Sequence, residues 1–98
     1  MAEDYHEPYD LLSDGARDLH RAITSLIEEL QAVDWYHMRA DVTGDATLRD
    51  ILVHNRNEEI EHASMLLEWI RRREPKFDKE LHTYLFTKAP VTKVEEGA

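Results

Sequence analysis

The sequence predicts an all-α protein, built as an antiparallel two-helix hairpin followed by a short C-terminal helix. Two stretches carry apolar residues every three or four positions, which is the spacing of one helical stripe. A short turn around Gly44 separates them, and Pro75 ends the second stretch. The 98 residues are expected to form one domain, residues 1–98. Because one hairpin cannot enclose a core, we expect two chains to pair into a four-helix bundle.

The first helix is predicted to begin at Pro8 or Ser13, since proline suits the first helical position and serine caps helices well. It should end near Arg39 or Ala40. Residues 1–7 are polar and acidic and are predicted to form a flexible tail. The apolar stripe of this helix comprises Leu19, Ile23, Leu26, Leu30 and Val33.

The second helix is predicted to begin after Asp45, a good capping residue, and to end near Arg73 or Glu74. A third helix should cover residues 77–85, and residues 91–98 are predicted to form a second flexible tail. The stripe of the second helix comprises Leu48, Leu52, Asn55, Glu59, His62, Leu66 and Trp69.

The composition excludes several classes of function. The chain has 12 basic and 21 acidic residues and a formal net charge of -9, so its surface should attract cations and repel nucleic acid and anionic membranes. Without cysteine it can form no disulfide, thiolate zinc site or thiolate-bound iron–sulfur cluster. No signal peptide or membrane span is evident, and the expected location is the cytoplasm.

Polar residues interrupt the apolar stripes at three positions. Glu59 and His62 stand where leucine is expected, and their i to i+3 spacing places both on one face of the second helix. Glu29 lies on the inner face of the first helix by the same periodicity. A buried carboxylate is costly unless it is paired, hydrogen-bonded or bound to a metal. The pattern therefore predicts that Glu29, Glu59 and His62 bind metal.

The number of ligands predicts a dimer. Di-iron carboxylate bundles use a lone glutamate from each of two helices and a Glu-x-x-His pair from each of two others. This chain supplies half of that set, so two chains related by a two-fold axis would complete it and hold two iron ions per pair of subunits. Carboxylate oxygens with some imidazole nitrogen suit iron or manganese better than copper.

Similar patterns also arise without metal binding. Glu3 and His6 form the same Glu-x-x-His spacing in the N-terminal tail, and Asp34 and His37 have a related spacing. The acidic run at residues 58–61 is of a kind that usually forms a solvated face. Position on the apolar stripe, together with an inward glutamate on the other helix, favours metal binding over these alternatives.

Two polar flanks border the predicted centre. They either guide cations inward or form ordinary solvated surface, and the residues alone favour surface. Tyr36, two turns beyond Glu29, is a candidate to hydrogen-bond a ligand or to lie near the metal, with an ordinary half-buried tyrosine as the alternative. The flank residues are Glu28, Gln31 and Trp35 on the first helix and His54, Glu58 and Glu61 on the second.

Short segments along nearly the whole chain form a specific combination: HRAI at 20–23, EEL at 28–30, AVDWY at 32–36, HNR at 54–56, EE at 58–59, EHA at 61–63, LEW at 67–69 and TYLFT at 83–87. Together they closely resemble the encapsulated ferritins, over roughly residues 7–94. This combination is far more specific than Glu-x-x-His alone.

The resemblance implies a ferritin-like half-bundle that completes its four helices by dimerisation and assembles into a ring of ten. It implies that Fe(II) is oxidised by oxygen between two subunits, with Glu29, Glu59 and His62 as the ligands. Trp35 and Tyr36 match neighbours of that site. The expected partner is the shell protein of an encapsulin nanocompartment, which would store the ferric product within the cytoplasm.

The same resemblance assigns Glu28 to a site through which metal enters. The family pattern has a second glutamate where this chain has Gln31. Glutamine is neutral and a poorer ligand, so the departure predicts weaker capture of cations at that site.

Two other functions would use the same candidate ligands. A peroxide-handling di-iron or di-manganese protein would turn over peroxide without net oxidation of iron. A structural oligomer would use the metal only to join helices and would consume no oxygen when Fe(II) is added.

Overall fold

The computed structural model describes residues 5–97, and every regular element in that range is helical. The helices are α1 (Asp14–Val42), α2 (Ala46–Arg73), α3 (Pro75–Tyr84) and α4 (Val91–Gly97). A 3-10 turn at Tyr9–Leu11 precedes α1. Helices α1 and α2 pack along one another as an antiparallel hairpin, which confirms the predicted all-α class. None of the helices in the described range is long and apolar enough to cross a membrane.

Side-chain caps set the starts of both long helices. Ser13 Oγ accepts a hydrogen bond from the Ala16 N–H at 3.1 Å, so α1 begins after Ser13 and not at Pro8. Asp45 Oδ1 accepts one from the Leu48 N–H at 2.9 Å, as the sequence predicted. Caps of this kind each contribute about 1 kcal/mol to helix stability.

Arg49 closes the turn of the hairpin. Its Nε donates to the carbonyl of Ala40 at 3.2 Å, and its Nη2 donates to the carbonyl of Thr43 at 2.5 Å. Both carbonyls lie at the C-terminal end of α1, where unpaired carbonyls and the helix dipole favour a cation. With this support α1 continues to Val42, slightly beyond the predicted end at Ala40.

The two long helices meet over a narrow seam. Ala22 and Ala40 of α1 and Ala63 and Ile70 of α2 are the buried apolar residues of the described range. Three of the four are alanines, which let the two backbones approach closely but bury little apolar area.

Many large apolar side chains stay exposed in a single chain. Ile27 is 58% exposed, Ile51 52% and Met65 58%. Apolar surface on this scale usually marks an interface with another protein surface. Further large apolar side chains of the hairpin are exposed at Ile23, Leu30, Trp35, Met38, Val42, Leu48 and Ile60.

Charged side chains join α2 to α3. Arg71 donates to both carboxylate oxygens of Glu68, at 2.6 and 2.8 Å, and contacts the carboxylate of Asp78 in α3. Arg72 donates to Glu68 at 2.6 Å. Hydrogen bonds from Arg71 and Arg72 lower the pKa of Glu68 to about 2. Hydrogen bonds to Glu68 and Asp78 raise the pKa of Arg71. The network links the end of α2 to the first turn of α3.

The third helix begins earlier than predicted. It starts at Pro75 and not at residue 77, because proline needs no N–H partner in the first turn and its φ is already helical. It ends at Tyr84. Two residues later Phe86 has a left-handed φ of 63° and is fully exposed.

The predicted C-terminal tail over residues 91–98 contains a helix that the sequence analysis does not predict. Val91–Gly97 form helix α4, while the last residue of the predicted tail lies outside the described range. The carbonyl of Pro90 accepts hydrogen bonds from the N–H groups of Lys93 and Val94, at 2.8 and 3.1 Å. Proline suits the start of a helix, so Pro90 begins one here and does not only end the preceding segment.

The sequence predicts a flexible tail over residues 1–7. The first four of these residues lie outside the described range, and the structure describes the segment from Tyr5 onward. The Tyr5 ring lies 4.4 Å from the His20 ring and 5.5 Å from the Tyr9 ring, measured between centroids. Arg17 lies over the Tyr9 ring and donates to the Tyr9 carbonyl at 2.7 Å. Aromatic contacts therefore hold the end of the predicted tail against α1.

Candidate metal centre

The structure brings the three predicted ligands together across the hairpin. Glu29 lies on α1, and Glu59 and His62 lie one turn apart on α2. One ligand atom from each residue lies within 4.8 Å of the other two. His62 Nδ1 is 3.6 Å from Oε2 of Glu29 and 3.5 Å from Oε2 of Glu59.

Local sequence explains why these side chains meet. Glu59 and His62 project from the same side of α2 because residues three apart are neighbours on a helix. Ala63 is buried beside them, and Ala22 is buried two turns before Glu29 on α1. These small side chains keep the helices close enough for a carboxylate on α1 to reach the imidazole on α2.

The burial of the cluster is uneven. The side chains of Glu29 and Glu59 are 25% exposed and that of His62 is 43% exposed. Oε2 of Glu29 is buried, yet it accepts no hydrogen bond from any residue in the range 5–97. An unpaired buried oxygen costs about 1–3 kcal/mol, and more when it is charged. The carboxylates of Glu29 and Glu59 and the imidazole of His62 form a donor set that suits iron or manganese.

The candidate flank on α1 does not join this cluster. Glu28 and Gln31 are exposed at the surface, and Trp35 is 46% exposed. Within the described range, the group of potential ligand atoms consists of Glu29, Glu59 and His62. The role of the flank in metal uptake stays a prediction.

The candidate flank on α2 also lies at the surface. His54 Nε2 is 3.7 Å from a carboxylate oxygen of Glu58, which makes an ion pair when the imidazole is protonated. Glu61 is exposed. Tyr36 on α1 is half-buried, and Arg39 lies 5.6 Å from its ring centroid. Neither a metal role for the flank nor a ligand contact for Tyr36 is tested by these positions.

Sequence reasoning missed a groove that begins at His62. It runs along the surface of the hairpin between α1 and α2, and its apolar wall includes Met65, Leu66 and Trp69. The guanidinium of Arg73 lies 4.6 Å over the Trp69 ring at the far end. The signal was present in the sequence, because Met65 and Trp69 follow His62 at intervals of three and seven residues on one side of α2.

In this hairpin a lone glutamate on α1 faces a Glu-x-x-His pair on α2. This arrangement is typical of ferritin-like helical proteins. The chain belongs to the EncFtn-like family, whose pattern matches residues 4–88. It is 56% identical over 96 residues to the "Ferritin-like protein" of Thermotoga maritima, covering 98% of this chain and 84% of that protein. It is 52% identical over 90 residues to the "Encapsulated ferritin-like protein" of Rhodospirillum rubrum, covering 92% of this chain and 64% of that protein.

A solved structure supports the fold. The crystal structure of a protein from Nitrosomonas europaea superposes with a TM-score of 0.86 at 61% identity, covering 89% of this chain and 96% of that chain. Both the resemblance to encapsulated ferritin-like proteins and the ferritin-like helical fold are therefore confirmed. Membership of this family supports an iron-related, ferritin-like role. The chain spans slightly less than two thirds of the length of the Rhodospirillum rubrum relative.

Proposed function

We propose that the protein is a ferroxidase, which oxidises Fe(II) to Fe(III) with oxygen at a di-iron centre shared between two subunits. Iron is the substrate, and Glu29, Glu59 and His62 are the residues that bind it. The observation that carries the proposal is the buried Oε2 of Glu29, which lies 3.6 Å from His62 Nδ1 and accepts no hydrogen bond within the described range. A cation would supply the partner that this oxygen lacks.

The ligand set supports a centre completed by a second chain. Two metals in a carboxylate bundle need four glutamates and two histidines, and the cluster in one chain offers half of these. A two-fold axis beside the cluster would bring the second half from an identical subunit. Carboxylates shared between metals hold them about 3.5–4 Å apart, the spacing of other two-metal sites.

The surface around the cluster supports the same arrangement. His62 is 43% exposed in the single chain, so the cluster opens to one side of the hairpin. Beside it lie the exposed Met65 and the apolar wall that includes Leu66 and Trp69. A second hairpin seated on this side would cover apolar surface and bring its own carboxylates to the centre in one step.

The side chains of the centre favour the oxidised product. Glu29 and Glu59 carry negative charge, and attraction to a cation grows with the charge of that cation. A carboxylate-rich site therefore stabilises Fe(III) more than Fe(II). His62 binds through a neutral nitrogen, which limits the excess negative charge when the pair of chains is complete.

Electron balance fixes what must be measured. Each Fe(II) gives up one electron. Oxygen takes two electrons and two protons to become hydrogen peroxide, or four electrons and four protons to become two waters. The ratio of iron oxidised to oxygen consumed distinguishes these two products.

The name of one relative suggests where in the cell this reaction takes place. The Rhodospirillum rubrum relative is called encapsulated, which ties that protein to an encapsulin shell. We extend the association to this chain and propose that it acts as cargo of an encapsulin nanocompartment in the cytoplasm, assembled as a ring of ten subunits.

Stopped-flow absorbance together with an oxygen electrode tests the proposal. Fe(II) mixed with the protein in aerated buffer should give a rapid rise in ferric absorbance and a matching uptake of oxygen, both faster than in protein-free buffer. Asp50→Ala is the matched control, since Asp50 is an exposed carboxylate on α2 outside the cluster. Oxidation at the protein-free rate would contradict the proposed function.

A further inference from the structure

Another polar contact joins α1 and α2, away from both the candidate centre and the turn of the hairpin. Nη1 of Arg56 on α2 lies 3.1 Å from Nδ1 of His37 on α1. Nε and Nη2 of Arg56 donate to Oδ1 of the neighbouring Asn57, at 3.3 and 3.0 Å. Asn57 therefore holds one edge of the guanidinium, and the remaining nitrogen reaches across the hairpin to His37.

This contact determines where the hydrogen lies on His37. Arginine has five N–H donors and no acceptor, so Nδ1 of His37 must accept the hydrogen bond from Arg56. A histidine that accepts at Nδ1 in its neutral form carries its hydrogen on Nε2. The geometry thus assigns a single tautomer to this side chain.

The contact stands on the opposite side of Glu59 from His62. At 100° per residue, Arg56 and His62 lie about 60° from Glu59 around α2, in opposite directions. Helix α2 therefore touches α1 through polar groups on both edges of the seam, with Arg56 against His37 on one edge and His62 near Glu29 on the other.

The fully buried side chains of the seam near the centre are small. The seam beside the ligands is lined by Ala22 and Ala63, whose methyl groups interlock far less than large side chains. A rotation of α2 about its own axis would carry Glu59 and His62 past Glu29, and small methyl groups oppose such a rotation weakly. A directional hydrogen bond at the far edge opposes such a rotation.

We propose that Arg56 and His37 are positioning residues for the metal centre. Their hydrogen bond fixes the rotation of α2, so that Glu59 and His62 face Glu29 before any metal arrives. Ligands arranged in advance bind more tightly because less order has to be created on binding. The inference rests on the proposed function, since it assigns these residues a role at that centre.

Two substitutions of His37 separate the hydrogen bond from side-chain size. His37→Asn keeps an acceptor, because Asn Oδ1 occupies nearly the position of His Nδ1. His37→Leu has a comparable size and no acceptor. In titrations of the full chain with Co(II), followed by visible absorbance, the leucine variant should bind about fivefold to tenfold more weakly than wild type. The asparagine variant should stay within about twofold of wild type.

Arg56→Gln removes the same contact from the other helix. It provides the test if a His37 variant does not fold. It should weaken Co(II) binding as much as His37→Leu. Combining the two substitutions should add little further loss, since both remove one interaction. Additive losses would contradict a shared role.

Nitrogen NMR of the metal-free wild-type protein gives a readout independent of the metal. His37 should show a protonated Nε2 and an unprotonated Nδ1 at neutral pH. A protonated Nδ1, or wild-type Co(II) affinity in both His37→Leu and Arg56→Gln, would overturn the positioning role. A wild-type protein that binds no Co(II) would instead contradict the proposed function, and the positioning role with it.

Discussion

Nδ1 of His62 on α2 lies 3.6 Å from Oε2 of Glu29 on α1, and within the described range that buried oxygen receives no hydrogen bond. The two helices thus place a buried carboxylate oxygen beside an imidazole nitrogen without a hydrogen bond between them. An unpaired buried oxygen costs stability, and under the proposed function a bound cation would remove that cost.

Replacing Glu29, Glu59 or His62 by alanine should abolish rapid iron oxidation. Glu29→Leu should also stabilise the metal-free protein by about 1 kcal/mol, because an apolar side chain replaces a buried oxygen without a partner. Stopped-flow absorbance measures the first effect, and thermal unfolding in a chelating buffer measures the second. If all three alanine variants oxidised iron at the wild-type rate, these residues would not be the site.

Metal binding should drive assembly. The metal-free protein is expected to be a monomer or dimer, and Fe(II) should shift it to larger species, since each chain supplies half of the ligands. At a metal concentration a hundredfold above Kd, this linkage contributes about 2.7 kcal/mol. Sedimentation velocity without oxygen measures the shift. Glu59→Ala should stay small with or without Fe(II), whereas identical wild-type distributions in both conditions would argue against the coupling.

Gln31→Glu should create a cation site beside Glu28. Both residues are exposed on α1, three positions apart, so a second carboxylate would face the first on the same side of the helix. The added charge should increase capture of metal at the surface and slow its transfer to the centre. Crystals of both proteins soaked in Zn(II) and measured by anomalous scattering should show a flanking peak only in the variant. A strong peak beside Glu28 in the wild type would refute the idea that Gln31 weakens this site.

The junction of α2 and α3 should respond to acid. Hydrogen bonds from Arg71 and Arg72 lower the pKa of Glu68 from 4.5 to about 2. A lowered pKa contributes stability that is present above pH 4.5 and is lost as the pH falls toward 2. Glu68→Gln should therefore melt below wild type at pH 7, and the difference should shrink as the pH falls and disappear below about pH 2.

Glu80→Gln is the matched control for that experiment. Its ion pair with Lys76 also lowers the pKa of Glu80, but both residues lie within α3 and do not connect it to α2. The decrease in melting temperature at pH 7 should therefore be smaller in Glu80→Gln than in Glu68→Gln. Equal decreases in melting temperature in the two variants would show that the contact between α2 and α3 adds no stability beyond that of an ion pair within one helix.

The elements that could be predicted from sequence are those with local signals. Ser13 and Asp45 cap the long helices through side chains within four residues of the bonds they make. The periodicity that put Glu29, Glu59 and His62 inward is also local to each helix, and their meeting required only that the hairpin be antiparallel. Helix α4 is harder to predict, because a proline can either end one helix or begin the next, and Pro90 begins one.

Contacts between distant residues were not predictable in the same way. The spacing of Asp34 and His37 indicates only a neighbour on the same helix, yet His37 contacts Arg56 across the hairpin. The left-handed φ of Phe86 has no sequence signal either, since bulky residues rarely adopt it. Such features depend on the relative rotation and spacing of helices, which a periodic pattern does not specify.

Native mass spectrometry of the protein titrated with Fe(II) in the absence of oxygen tests the shared centre most directly. Iron should appear on species with an even number of chains, at two ions per pair, and Glu59→Ala should carry none at the same concentration. Monomers that bind iron as tightly as paired chains would contradict the account, because a single chain would then hold a complete site.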